Sequence, residues 1–528
     1  MRFLPVLIFI LLLPAADNAA AQQLPGQPAF AASLSQIAAF HDAAGMAVIG
    51  SCGSGQAEVY LGKRDIARNL PVTADTHFRI ASVSKLVTAL AVLHLHDEGA
   101  LDLHQSAGSL LGFPLQNPAW PLHSIRVIDL LTHQSSIQDG STYAAFLSES
   151  YSATAPPPIS ALLVPGSAWF AANNWRTEAP GSFFMYSNLN YGLLGSIIEA
   201  VTGQRFDRYM RDAFLPMLGI EGSFNPADLA DINLLAALYR KPGGTWTPQF
   251  DHFQGVAPPD RELPGYVPGH NGLIFAPQGG LRTTARSLLQ LARFLQQGGM
   301  AGGTQLISEE TMAYLLEPQW TYSGGNGDPY FGLYYAFGAG AHHTTNRPGE
   351  DVVVPGHLFA GHPGAAYGLA SNLYIRLGSE AGTAILFITN GVGTGFGFDQ
   401  RSAFYTIETD VFETYATHIL AHCLPSTHID DSETGLQDRP ADFRVMPPFP
   451  NPFNSRTLLH WEMAVPAQMH ITLHDLNGRL IRTLANQAFS AGRHTLPLEA
   501  ADLSSGIYLL RFRNSSGQSA TIRLTHLK

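Results

Sequence analysis

A chain of 528 residues exceeds what a single hydrophobic core usually organises, so at least two folding units are expected. With 45% hydrophobic and 13% charged residues the composition is that of a globular protein and excludes a largely disordered one. The net charge of −11 has no compensating basic block, which removes the electrostatic term that nucleic-acid binding depends on, so no nucleic-acid partner is expected.

In chain order, Met1 and Arg2 precede an apolar run from Phe3 to Leu13 and small residues up to Ala21. A run of that length falls well short of the roughly 20 residues that span a bilayer. It has the form of a secretory signal peptide over residues 1–21, cleaved after Ala21. The mature chain is then expected to be exported without an integral membrane segment. No cysteine lies near the cleavage position to accept a lipid. Cys52 and Cys423 are the only cysteines, and either a single disulfide between them or two buried thiols fits the sequence.

Residues 34–424 alternate helical and strand-like segments, with short β-rich runs at 46–49 and 384–389, which reads as a mixed α/β domain. Phe78-Arg79-Ile80-Ala81-Ser82-Val83-Ser84-Lys85 leads into a segment that is apolar around most of its circumference and stops near Gly99. This predicts a buried helix whose first turn carries Ser82 and Lys85 on one face, three residues apart. A serine hydroxyl needs a neighbouring base to become a nucleophile, and burial can lower a lysine pKa far enough for it to serve.

Downstream, Tyr186-Ser187-Asn188 follows Pro180-Gly181-Ser182, and His362-Pro363-Gly364-Ala365 precedes a strand-like stretch at 370–375. Taken with the Ser82-x-x-Lys85 element and in this order, these resemble the motifs of serine β-lactamases and penicillin-binding proteins, in particular the class C β-lactamases, D-Ala-D-Ala carboxypeptidases and related esterases. The stretches 130–136, 275–281 and 283–288 add to the likeness, which covers about residues 34–424.

The resemblance implies an α/β (α+β) β-lactamase/transpeptidase-like fold, with an antiparallel sheet flanked by helices and a helical subdomain. It implies Ser82, Lys85 and Tyr186 as catalytic residues, and Asn188, His362 and Gly364 in substrate binding. The backbone N–H groups of Ser82 and Ala365 would form the oxyanion hole. His362 stands where β-lactamases carry a lysine and Pro363 where they carry a hydroxyl residue, which weakens the grip on a substrate carboxylate. Pro363, lacking an N–H, is expected at a sheet edge facing the cleft. His133 is expected to play a structural hydrogen-bonding role, and the loop-rich region 225–271 to cover the cleft. The 21 histidines include no metal-binding spacing, so neither metal nor cofactor is expected.

After a polar linker over 425–443, residues 444–528 turn to short strands and turns, with Asn477-Gly478 where a hairpin wants positive φ. Phe449-Pro450-Asn451-Pro452-Phe453-Asn454, His474-Asp475-Leu476-Asn477-Gly478-Arg479 and Ser504-Ser505-Gly506-Ile507-Tyr508 resemble the C-terminal sorting domain of type IX secretion cargo. That implies a small β-sandwich that partners the secretion machinery. A generic β accessory or carbohydrate-binding module is the alternative.

The expected function is an exported serine hydrolase acting through an acyl-enzyme on an ester or amide, with a small-molecule or peptide substrate. The alternatives are a D-Ala-D-Ala carboxypeptidase or weak β-lactamase, and a catalytically silent cell-wall or peptide-binding protein. The expected location is secreted or cell-surface, with the periplasm as the alternative.

Overall fold

In the computed structural model the described residues are 24, 26–378, 382–394, 397, 401–423, 443–449, 453, 456–475, 479–500, 503–504, 506–515 and 519–526. The signal peptide expected over 1–21, the linker over 425–442 and the Asn477-Gly478 turn lie outside them. The chain divides into two compact units, residues 1–426 and 427–528.

The first unit is built on an antiparallel sheet. Its long strands are β1 (Gly45–Cys52), β2 (Gly55–Asp65), β3 (Phe359–Ala366), β4 (Leu369–Arg376) and β5 (Ala384–Thr389), in the order β3-β4-β5-β1-β2. Short strands at Trp320–Thr321, Ala336–Phe337 and His342–His343 extend it beyond β3, and Leu70–Pro71 extends it beyond β2.

The unbroken apolar runs in β1 and β5 follow from burial on both faces of the sheet. Ala47, Ile49, Leu386 and Ile388 point into the larger core, shared with helices α2 (Ser84–Asp97), α3 (Asn188–Thr202) and α4 (Ala285–Gln296). Met46, Val48, Ile385 and Phe387 point the other way, into a core closed by α1 (Gln27–Phe40) and α5 (Thr406–Tyr415). Alternate side chains of a strand face opposite sides, so a one-residue slip would exchange these two sets.

Helix α2 is buried from Ser84 through Leu95 and lies at the centre of the larger core. It ends where the sequence predicts: Gly99 takes φ 71° and its N–H donates to His96 O at 2.9 Å, a left-handed stop that glycine adopts without steric cost. Cys52, closing β1, is joined to Cys423 by a disulfide with a Cα–Cα distance of 5.6 Å, which settles the choice left open by the sequence.

The second unit packs two antiparallel sheets. One contains β6 (Phe443–Phe449), β7 (Arg456–Met463) and β10 (Gly492–Glu499); the other contains β8 (Ala467–His474), β9 (Leu480–Phe489), β11 (Gly506–Asn514) and β12 (Ser519–His526). Trp461 from the first sheet meets Met469, Ile471, Leu510 and Phe512 from the second in one core, which makes the unit a β-sandwich. Phe443, expected at the end of the linker, already belongs to strand β6.

Candidate active site

Ser82 lies on the 3-10 turn Ala81–Val83 that feeds into α2 at Ser84, one step before the α-helix proper. Ala81 adopts φ 44°, the left-handed region that costs a residue with a Cβ and persists only where its surroundings impose it. Those surroundings are visible. Ile80 N–H donates to Leu281 O at 3.0 Å, and Leu281 N–H donates to Ser84 Oγ at 3.1 Å, so the turn is held from both sides.

The same 275–281 stretch supplies carbonyls to the next turn of α2. Thr88 Oγ1 donates to Pro277 O at 2.8 Å and Lys85 Nζ donates to Gln278 O at 2.8 Å. Lys85 is fully buried, with Nζ also 2.8 Å from Asn188 Oδ1 and 3.1 Å from Ser82 Oγ. Burial pulls its pKa down to about 7, against the opposing charge of Asp139. A neutral amine has two N–H bonds and one lone pair. With the N–H bonds given to Gln278 O and Asn188 Oδ1, the lone pair faces the Ser82 hydroxyl.

Tyr186 lines the cavity beside Ser82, its ring stacked on Tyr334 at 5.1 Å and 4.9 Å from Lys85 Nζ. Burial raises its pKa well above the ordinary phenol value, with the Ser82 hydroxyl acting in the opposite direction. The phenol is therefore protonated at neutral pH, placed to pass a proton rather than to begin as a base.

Asp139, which the sequence analysis did not single out, organises this corner. Its carboxylate accepts from the Asn188 and Leu189 backbone N–H groups at 3.1 and 2.9 Å and from Ser187 Oγ at 2.8 Å, capping the start of α3. It also accepts from Asn188 Nδ2 at 2.8 Å, which fixes the amide so that Oδ1 turns towards Lys85. Only the fold brings it there, 49 residues along the chain from Asn188. His133 supports the same segment: its carbonyl accepts from Met185 N–H at 2.8 Å and its Nδ1 accepts from Ser187 N–H at 3.2 Å.

The tip of β3 closes the opposite side. A Cβ on Gly364 would lie 2.8 Å from Ile80 O and 3.0 Å from Ser82 N, so the missing side chain is what allows the strand to touch the turn that carries Ser82. Ser371 Oγ on β4 donates to Ile80 O at 2.8 Å and pins the contact. Ser82, Tyr186, Gly364 and Ala365 line one cavity of about 340 Å³.

Two expectations are corrected and one is met. The His362 ring does not line this cavity. It is fully buried beneath it, 5.9 Å from the Tyr186 ring, with Nδ1 donating to Pro363 O at 2.6 Å. Burial and the nearby Lys85 hold its pKa down to about 3, so it is neutral. Pro363 faces the cleft as expected, at a stretch of β3 whose second side is unpaired among the described residues. The strand pairs with β4 along its length and with the His342–His343 strand at Ala360 and Gly361. Finally, 225–271 does not wall the Ser82 cavity. Tyr330, Phe331 and Tyr334 do so, with Tyr405 and Glu408 at the start of α5. Glu408, also missed from sequence, is a buried carboxyl raised to about 7 by burial, with hydrogen bonds from Asn372 and the Tyr405 N–H opposing.

His342 and His343 sit in protein hydrogen bonds, Nδ1 of the first 2.8 Å from Tyr374 Oη and Nε2 of the second donating to Leu315 O at 2.9 Å. Among the described residues no cluster of histidine, cysteine or carboxylate side chains is arranged to hold a metal.

A fully buried lysine against a serine on a strained turn, with a tyrosine and an asparagine closing the ring, defines a class of site, and comparison with known proteins agrees. Residues 30–406 match the Beta-lactamase family, and the chain belongs to it. This is a superfamily whose members, with the penicillin-binding proteins, are generally serine hydrolases. Residues 448–524 match the secretion system C-terminal sorting domain, so the sandwich is a type IX sorting domain. Penicillin-binding protein 4 of Amycolatopsis lactamdurans is 25% identical over 337 residues, covering 62% of this chain and 76% of that protein. Protein flp of Staphylococcus aureus (strain MW2) is 27% identical over 157 residues, and the match covers 30% of each chain, so this chain spans under a third of that relative. The class C β-lactamase from Rhodobacter sphaeroides shares the fold, with TM-score 0.53 and 18% identity over 74% of this chain and 99% of that one. No helix among the described residues is long and apolar enough to cross a membrane.

Proposed function

We propose that this protein is an exported serine hydrolase that forms an acyl-enzyme on Ser82 with an ester or amide substrate. The observation that carries the reading is the Lys85 amine, fully buried, pulled to about 7 and 3.1 Å from Ser82 Oγ. Lys85 takes the hydroxyl proton as Ser82 Oγ attacks the substrate carbonyl. The N–H groups of Ser82 and Ala365 hold the oxyanion, an assignment supported by the contact of the β3 tip with the Ser82 backbone. As the C–O or C–N bond breaks, the proton passes from Lys85 through Tyr186 to the leaving group, and Asn188 orients both lysine and substrate. Water then attacks the acyl-enzyme, its proton returning along the same route.

A neutral, buried His362 offers no cationic grip on a substrate carboxylate, which favours an ester or amide over a β-lactam. The sorting domain supports delivery to the cell surface or beyond. Intact-mass spectrometry after incubation with a fluorophosphonate and, separately, with a labelled penicillin tests the reading. One fluorophosphonate adduct on Ser82 is expected. Penicillin labelling would move the assignment to a D-Ala-D-Ala carboxypeptidase, and no adduct with either reagent would leave a silent binding protein.

A further inference from the structure

A second cavity of about 650 Å³ shares no lining residue with the Ser82 cavity but starts beside it. Arg79, three residues before Ser82, and Tyr367, two after Ala365, are both in its wall. Four guanidinium groups line it: Arg79, Arg205, Arg261 and Arg282. Two are neutralised, Arg205 by Asp207 at 2.6 Å and Arg282 by Asp251 at 2.8 Å. Arg79 and Arg261 have no carboxylate within ion-pair distance among the described residues. Arg79 Nε donates to Gly279 O at 3.0 Å, and its guanidinium lies 5.2 Å from the Tyr367 ring centroid and 5.6 Å from that of Phe250. Among the described residues Arg261 donates only to the carbonyls of Ser150 and Ala153, at 2.5 and 3.2 Å.

The arrangement opposes stability. Arg79 and Arg282 stand directly opposite each other on paired antiparallel strands, a register in which like charges repel. Burial disfavours both Arg79 and Arg261 as cations; Arg282 adds to this for Arg79 and Arg205 for Arg261, while Asp251 eases the first and Tyr151 and Asp207 the second. Two guanidiniums without an ion-pair partner among the described residues thus gather at one cavity, a setting that an anion from outside would balance.

We infer that this cavity is a carboxylate-binding subsite for the acyl portion of the substrate, with Arg79 and Arg261 as its anion-holding groups. The assignment of side rests on the proposed hydrolysis. Tyr186, which hands its proton to the leaving group, lines the other cavity together with the buried Glu408, and above about pH 7, where Glu408 is ionised, a leaving-group carboxylate would be repelled there. The substituent on the far side of the scissile carbonyl then runs towards Arg79 and Tyr367. The substrate class is an ester or amide of a dicarboxylic or acidic acyl group with an uncharged or cationic leaving group.

Two measurements on the full chain decide it. The first compares p-nitrophenyl hydrogen glutarate with its methyl-capped ester, and the same pair built on adipate. The second measures, by calorimetry on Ser82→Ala, binding of glutaric acid monoanilide against its methyl ester. The free acid should be favoured at least about tenfold in kcat/KM and in Kd, the value of one charge-assisted hydrogen bond. Arg79→Gln and Arg261→Gln, made separately so that misfolding of one leaves the other informative, should each reduce that ratio towards one, the ratio being read against each variant's own turnover of the capped ester. Equal binding of acid and ester, or a preference that survives both substitutions, overturns the subsite. Absence of all turnover and of Ser82 labelling would instead overturn the hydrolase reading, and with it the acyl assignment, while the calorimetry still decides whether the cavity holds a carboxylate.

Discussion

The most exposed claim in the proposed mechanism is that Lys85 works as a neutral amine, and Asp139→Asn tests it by direction as well as size. In the wild type the reactive fraction follows a lysine with pKa about 7, so kcat/KM should rise with pH and be about tenfold lower at pH 6 than at its plateau. Asp139 is the charge that opposes the depression of Lys85, acting across the Asn188 amide. A unit charge roughly 7 Å away at an effective dielectric of about 40 interacts by about 1 kcal/mol, worth about fivefold in the neutral fraction on the acid limb. Neutralising Asp139 should therefore move the limb to lower pH, although loss of the Asn188 anchor lowers the plateau. The readout is the ratio of kcat/KM at pH 6 to that at pH 8.5 with p-nitrophenyl acetate, which the lowered plateau does not affect. That ratio should rise severalfold. Glu408 also lies at about 7 in the same cavity, so the profile is repeated in Glu408→Gln, where the limb should persist. A ratio unchanged or reduced by Asp139→Asn, or a limb abolished by Glu408→Gln, would refute Lys85 as the base.

Other expectations follow from the same geometry. Ser82→Ala should abolish turnover and the fluorophosphonate adduct while leaving the thermal midpoint within a degree or two of wild type, as roughly expected of a partly exposed substitution that opens no large cavity; residual turnover at the wild-type level would contradict the acyl-enzyme. Gly364→Ala puts a Cβ against the Ile80 carbonyl and Ser82 amide, so it should cost about 1–3 kcal/mol by overpacking and lower kcat by about a hundredfold or more through a displaced oxyanion donor, read by denaturant melts and steady-state kinetics. Cys52→Ser with Cys423→Ser, opening a link between residues 371 apart in sequence, should cost about 2–5 kcal/mol in guanidinium unfolding. Deleting residues 444–528 should retain the protein inside the outer membrane without changing esterase kcat, because every candidate site residue lies in the first unit; unchanged localisation in cell fractions would contradict the export route.

Much of the site was legible because its chemistry is local. Ser82 and Lys85 lie three residues apart, Tyr186 and Asn188 are two residues apart, and Gly364 stands within the His362-Pro363-Gly364-Ala365 motif, although its close approach to the Ser82 turn is seen only in the fold. The buried character of α2 was likewise written in its nearly unbroken apolar run, and that of β1 and β5 in theirs. What the sequence did not show is which further segments lie against those motifs. Asp139 has no local pattern that marks it, since a carboxylate in a polar loop becomes a cap only when another helix begins beside it. Glu408 reads as an ordinary first-turn acid until the fold turns α5 against the cleft. His362 was placed in the motif correctly, yet whether its ring faced substrate or core was decided by the rings packed around it.

The sequence by itself marked the class of protein, through three motifs standing in the order of a known family, and named the candidate reacting groups. The tertiary structure alone decided the disulfide, the walls of the cleft and the charges that tune Lys85. Those are properties of distances between segments far apart in the chain, and burial and Coulomb interactions depend on distance through space rather than along the backbone.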